Sequence, residues 1–141
     1  MSSTPRFHLA FSVNDLESTR DFYVGVLGCG VGRSDARWID FDLFGHQIVA
    51  HLDEDKKASD ARNSVDGDEV PVPHFGLIMS WSDWQAFAEK LKAAKVTFEI
   101  EPRTRFAGLP GEQATMFFYD PSGNALEFKA FRNDDQIFAT D

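Results

Sequence analysis

A chain of 141 residues and 15.9 kDa suits one domain, or two half-domains sharing a core, with no need of disulfide staples. Its 43% hydrophobic and 26% charged residues exclude a disordered or fibrous protein, and no apolar run approaches the ~20 residues that span a bilayer. With 23 acidic against 14 basic side chains, the net charge of −9 argues against nucleic acid and anionic membrane as partners and leaves small molecules as the expected ligands.

The opening Met1-Ser2-Ser3-Thr4-Pro5-Arg6 lacks the apolar stretch of a secretion signal, so a cytoplasmic location is expected. Phe7-His8-Leu9-Ala10-Phe11-Ser12-Val13 alternates with period two and predicts a strand. A helix is predicted next. Asn14-Asp15-Leu16-Glu17 offers a cap with Glu three residues later, and Leu16, Tyr23, Val26 and Leu27 form an apolar stripe that stops at Gly28. The lone Cys29 can form no internal disulfide and reads as a small buried filler. Strands are predicted around residues 31–33, 37–44 and 46–52, the last two joined by a tight turn at Gly45.

The same plan then repeats. Pro73-His74-Phe75-Gly76-Leu77-Ile78-Met79-Ser80 is a second alternating strand with His again in second place. Ser82-Asp83-Trp84-Gln85 predicts another capped helix, with Trp84, Phe87, Ala88 and Leu91 on one face. Strands follow around residues 96–100, 114–119 and 125–130, the last two joined by Asp120-Pro121-Ser122-Gly123-Asn124. The expected class is therefore α+β with two βαβββ modules in one domain: residues 5–54, a solvated linker over 55–72 rich in Asp and Glu, residues 73–132, and a C-terminal arm over 133–141.

Alternation also sets direction. Phe7, Leu9, Phe11 and Val13 share a core face, so His8 points to the opposite one; the same logic separates His74 and Gly76 from Phe75 and Leu77, and Glu127 and Lys129 from Leu126 and Phe128. A carboxylate on a central strand calls for a cation, a donor or water. His8, His74 and Glu127 would together make a two-His-one-carboxylate set for a divalent metal, a pattern associated with non-haem Fe(II), though Mn, Ni, Co or Zn accept similar ligands. His51, near the end of the first module's last strand, is read as answering to Glu127 and as a fourth ligand or a catalytic acid/base. Arg103 and Arg105, on the connection over residues 102–113, could clamp a substrate carboxylate or phosphate. Phe117 and Trp38 are expected as aromatic walls of a substrate site.

The paired plan, the two histidines, and Asp120-Pro121-Ser122-Gly123-Asn124-Ala125-Leu126-Glu127 resemble the vicinal oxygen chelate superfamily, which holds glyoxalase I, extradiol dioxygenases and fosfomycin and bleomycin resistance proteins. The resemblance covers residues 7–131. It implies an open eight-stranded, barrel-like mixed sheet around a metal cavity, with the helices outside and dimerisation often present. The positions of His8, His74 and Glu127 match the iron ligands of extradiol dioxygenases, which implies a dioxygenase-like oxidoreductase acting on a substrate that chelates through adjacent oxygens. Glyoxalase I carries a carboxylate at about the place of His51, and extradiol enzymes carry a Tyr where this chain has Phe117. A glyoxalase-like lyase or isomerase using Ni or Zn, and a non-catalytic binding protein, are the alternatives.

Overall fold

The computed structural model describes residues 4–65 and 67–140. The reading of Met1, Ser2 and Ser3 as lacking a signal, the charge of Asp66 in the linker, and the last residue of the arm lie outside the described residues. The chain divides into two compact units: Met1–Ala58 with Asp120–Gly123, and Ser59–Tyr119 with Asn124–Asp141.

In the first unit β1 (His8–Val13) leads into a helix, α1 (Leu16–Arg20), which widens into a π-helical segment (Asp21–Val26). Three strands follow: β2 (Gly30–Ser34), β3 (Trp38–Leu43) and β4 (His46–Leu52). They form an open four-stranded sheet in the order β1-β4-β3-β2, with β1 parallel to β4 and the other pairs antiparallel. This is the predicted βαβββ unit. The cap is Asp15 rather than Asn14: its Oδ2 accepts from the Ser18 amide at 2.8 Å, while the Asn14 amide donates to Ser122 Oγ at 2.9 Å. Tyr23, Phe41, Leu27, Ile39 and Ile48 are almost wholly buried, and the Tyr23 and Phe41 rings stack at 5.1 Å. Phe7 precedes the strand and stays 61% exposed, outside the core face expected for it.

The second unit opens with a hairpin, β5 (Arg62–Val65) and β6 (Asp68–Pro71), within the stretch expected as linker. Then come β7 (His74–Met79), α2 (Trp81–Ala93), β8 (Phe98–Arg105), β9 (Gln113–Tyr119) and β10 (Ala125–Phe131), in a second open sheet ordered β7-β10-β9-β8 with β7 parallel to β10. α2 begins two residues earlier than Ser82 suggests, because Ser80 is the residue whose Oγ accepts from the Asp83 amide. Its predicted face of Trp84, Phe87, Ala88 and Leu91 is buried. Phe87 packs edge-on against Phe128, which stacks on Phe118, and the Trp84 indole donates to the Phe128 carbonyl at 2.7 Å. β8 runs through Pro102 to Arg105 because it is an edge strand, where a missing amide costs no ladder bond, and irregularities near Ile100 absorb the kink. Arg103 and Arg105 therefore stand on a strand, not on a connection.

The strands bond as two four-stranded sheets and one hairpin, not as a closed barrel. No helix among the described residues is long and apolar enough to cross a membrane.

Candidate metal centre

Parallel pairing of β7 with β10 sets His74 beside Ala125 and Gly76 beside Glu127. The strands approach so closely at the second pair that a Cβ on residue 76 would lie 1.6 Å from the Glu127 carbonyl oxygen, so only glycine fits. This approach brings Nε2 of His74 to 3.2 Å from Oε1 of Glu127.

The remaining polar atoms of the pair are held in place. Nδ1 of His74 lies 2.7 Å from the Pro71 carbonyl, an oxygen that can only accept, so Nδ1 carries a proton and donates. In the neutral ring that leaves the lone pair on Nε2, facing a carboxylate oxygen. Thr115 on β9 donates its hydroxyl to the other oxygen, Oε2. Two electron-rich atoms cannot rest 3.2 Å apart without a cation, either a proton on Nε2 or a metal between them. With the site protonated, the hydrogen bond to Glu127 raises the His74 pKa above 6.5, against burial, which acts the other way. Burial opposes ionisation of Glu127, but bonds from His74 and Thr115 and the charge of Lys129 outweigh it and hold its pKa below 4.5. A separation near 3 Å also suits two adjacent ligands each ~2.1 Å from a divalent ion. The donor set fits such a metal.

The pair opens on a cavity of about 410 Å³ within the second unit, lined also by Val65, Val70, Arg105, Phe106, Gln113, Phe117 and Lys129. Phe117 is 1% exposed, meets the His74 ring edge-on at 4.9 Å and offers no hydroxyl. Arg105 lines the cavity, but both it and Arg103 pair with Asp68 of the hairpin, Arg105 at 2.9 Å.

His8 lies on β1 of the first unit and is exposed. Its Nδ1 is 2.8 Å from Oε1 of Gln47, its register partner on β4, so its Nε2 is presented in the same manner as that of His74. His51 pairs with Ser12 and with Trp38, which is half-buried at the start of β3. His8 and His51 are thus four residues apart along neighbouring strands, roughly 13 Å at the usual rise. Matching the two sheets residue by residue, His8 beside Gln47 answers to His74 beside Ala125, which puts Val49 at the place of Glu127 and His51 at the place of Lys129. The expectation that His51 answers to Glu127 is corrected accordingly. Among the described residues, no group of three or more His, Cys, Asp or Glu side chains is gathered as a complete metal set. A larger hollow of about 560 Å³ in the first unit, beside His46, Asp40 and Asp42, contains no such pair.

Sequence reasoning missed Thr115, the Pro71 carbonyl, Gln47 and Asp68. Thr115 alone left a signal: a hydroxyl between apolar residues on a buried strand needs a partner.

The profile of the Glyoxalase/Bleomycin resistance protein/Dioxygenase superfamily matches residues 7–128. A curated relative, "Metallothiol transferase FosB" of Lysinibacillus sphaericus (strain C3-41), is 28% identical over 124 residues, 86% of this chain and 78% of that protein. The crystal structure of a glyoxalase/bleomycin resistance protein/dioxygenase from Alicyclobacillus acidocaldarius is similar with a TM-score of 0.78 and 33% identity, over 95% of this chain and 96% of the other. The fosfomycin resistance protein FosX of Listeria monocytogenes shares the fold, with a TM-score of 0.68 at 18% identity over 97% and 99% of the two chains. Matched over most of its length by that profile and carrying its repeated βαβββ plan, the chain belongs to the glyoxalase/bleomycin resistance protein/dioxygenase superfamily.

Proposed function

We propose that the protein is a divalent-metal-dependent enzyme acting on a small substrate that offers two neighbouring oxygens, with His74, Glu127 and His8 as the metal-holding residues. The observation that carries this reading is the facing of His74 Nε2 and Glu127 Oε1 after Pro71 and Thr115 have taken the other atoms of the pair. A bound ion there would supply Lewis acidity toward the substrate oxygens. The chain's own part is to fix the imidazole tautomer, to hold Glu127 ionised, and to wall the cavity with Phe117 against water. Trp38 and Arg103 are further substrate contacts in this reading, and His51 is an acid or base rather than a ligand.

The reaction class favoured is metal-assisted addition or transfer, in line with the name of the metallothiol transferase relative. Oxygenation on Fe(II) is the second reading and rests on the composition of the His8, His74 and Glu127 set. Glyoxalase-type chemistry with two facing carboxylates is disfavoured, since Val49 stands where the second would be.

Calorimetric titration with Mn²⁺, Fe²⁺ and Zn²⁺ tests the reading. Wild type is expected to bind one of them, and H74A, E127Q and H8A to weaken that binding by at least about tenfold each. Wild type that takes up none of the three overturns it. Oxygen uptake on catechols with the iron-loaded protein, against consumption of a small thiol in the presence of fosfomycin with the manganese-loaded protein, separates the two reaction classes.

A further inference from the structure

The hairpin of β5 and β6 is a two-stranded sheet of its own, bonded to neither of the four-stranded sheets. Its last residue, Pro71, lies three residues before His74, which opens β7 at one edge of the second sheet. Its side chains reach the opposite edge. Asp68 pairs with Arg103 and, at 2.9 Å, with Arg105, both on β8. Arg62 donates to the Tyr119 hydroxyl at 3.1 Å and lies 3.8 Å from Glu99, also on β8. A segment tied beside β7 and fastened to β8 must cross the strands between them, β10 and β9, which carry Glu127 and Phe117. The crossing has a defined inner face. Val65 opposes Asp68 and Asn63 opposes Val70, so these four side chains share one side of the hairpin, and both valines line the cavity of His74 and Glu127.

What holds this crossing down is weak and mostly polar. A two-stranded hairpin by itself is marginal in water, and of the two inner valines Val65 remains 42% exposed. The ion pairs of Asp68 and Arg62 are partly open to solvent, so each contributes little on its own. Such an element opens before the sheet beneath it. Resting on the function proposed above, we propose that the hairpin of β5 and β6 is a lid on the cavity of His74 and Glu127, latched by Asp68 on Arg105 and Arg103, which opens about its Pro71 end to admit substrate. Closure does two things: Val65 and Val70 roof the cavity against water, and Pro71 keeps its carbonyl on Nδ1 of His74. Because Pro71 ends β6, a swing of the hairpin reaches the imidazole directly.

The test is the rate at which a thiol reagent modifies V70C in the full chain, with C29A removing the native thiol and no metal added. Val70 is 5% exposed, so a thiol in its place reacts only when the hairpin lifts, while E69C, at the exposed neighbouring position, gives the unprotected rate. V70C is expected to react about twentyfold or more slowly than E69C. D68N is expected to quicken V70C by about fivefold or more, and D68E to return it to within about twofold. R62Q, at the other fastening, is expected to quicken it about twofold, and it carries the test alone if D68N loses amide protection in α2. Release of bound Mn²⁺ to a chelator is expected to quicken with the lid. V70C that reacts as fast as E69C, or that neither D68N nor R62Q quickens, overturns the proposal, as does labelling that quickens while Mn²⁺ release does not. Failure of the metal reading looks different: Mn²⁺ is then not taken up, while metal-free labelling still quickens with D68N, which supports the lid by itself.

Discussion

His74 and Glu127 face each other at 3.2 Å as an imidazole nitrogen and a carboxylate oxygen whose remaining atoms are already bonded, so the pair must be bridged by a proton or a metal. In the metal-free protein the proton does this, and the pair stabilises the fold only while both groups are charged. The raised pKa of His74 contributes stability that is full below 6.5 and lost as pH rises through its folded value. The lowered pKa of Glu127 contributes stability that is full above 4.5 and lost as pH falls through its folded value. The stability difference between metal-free wild type and H74A, read from urea midpoints, is therefore expected to peak between pH 4.5 and 6.5 and to shrink on both sides. A difference that grows steadily from pH 6 to 9 contradicts this assignment.

Thr115 holds Glu127 from the neighbouring strand, and Val in its place keeps the shape while removing the hydroxyl. T115V leaves Oε2 without its donor, raises the carboxyl pKa and frees the side chain to rotate. Metal affinity is expected to fall by about tenfold, with T115S recovering most of it, as calorimetric titration with Mn²⁺ would show.

Gly76 is required by the close approach of β7 to β10. G76A drives a methyl group into the Glu127 carbonyl, forces the strands apart and moves Glu127 from His74. The expected cost is about 1–3 kcal/mol in denaturant unfolding, together with loss of metal binding. G25A is the matched control: a Cβ there meets nothing within 4 Å, and stability should hold or rise slightly.

How far this arrangement could be read from the chain follows from what alternation encodes. Period two told which face His8, His74, Glu127 and Lys129 occupy, and the spacing of Trp84, Phe87, Ala88 and Leu91 told which side of α2 is buried. Face is a local property; register is not. Pairing of β1 with β4 depends on turn and bulge geometry elsewhere, so the strand pattern alone does not distinguish His51 from Val49, which holds the place of Glu127. Caps were displaced for a related reason: Asn14 and Asp15, or Ser80 and Ser82, are equally able to cap, and tertiary bonds such as Asn14 to Ser122 decide between them. The hairpin of β5 and β6 was hidden by its dense charge, and the partner of Arg103 and Arg105 lay within it at Asp68.

The Asp120-Pro121-Ser122-Gly123 turn is the most specific sequence mark in the chain, and its chemistry is architectural. Asp120 is 4% exposed; its Oδ2 accepts from the fully buried Tyr23 hydroxyl at 2.8 Å, and its Oδ1 accepts from the Ser122 amide at 2.9 Å. Burial and the charge of Asp120 push the Tyr23 pKa well above 10, so the phenol remains a donor throughout the working range. The turn is thus clasped within the first unit, to the π-helical segment through Tyr23 and to Asn14 through Ser122. Y23F removes one donor and leaves a buried carboxylate oxygen without it, at an expected cost of about 1–3 kcal/mol. Because the metal pair is held by other bonds, Mn²⁺ affinity of the folded variant should stay within about threefold of wild type. Thermal unfolding with metal titration on the same sample checks both. A folded Y23F that had lost its metal affinity would mean that the turn acts on Glu127 directly, and that the clasp and the centre form one unit.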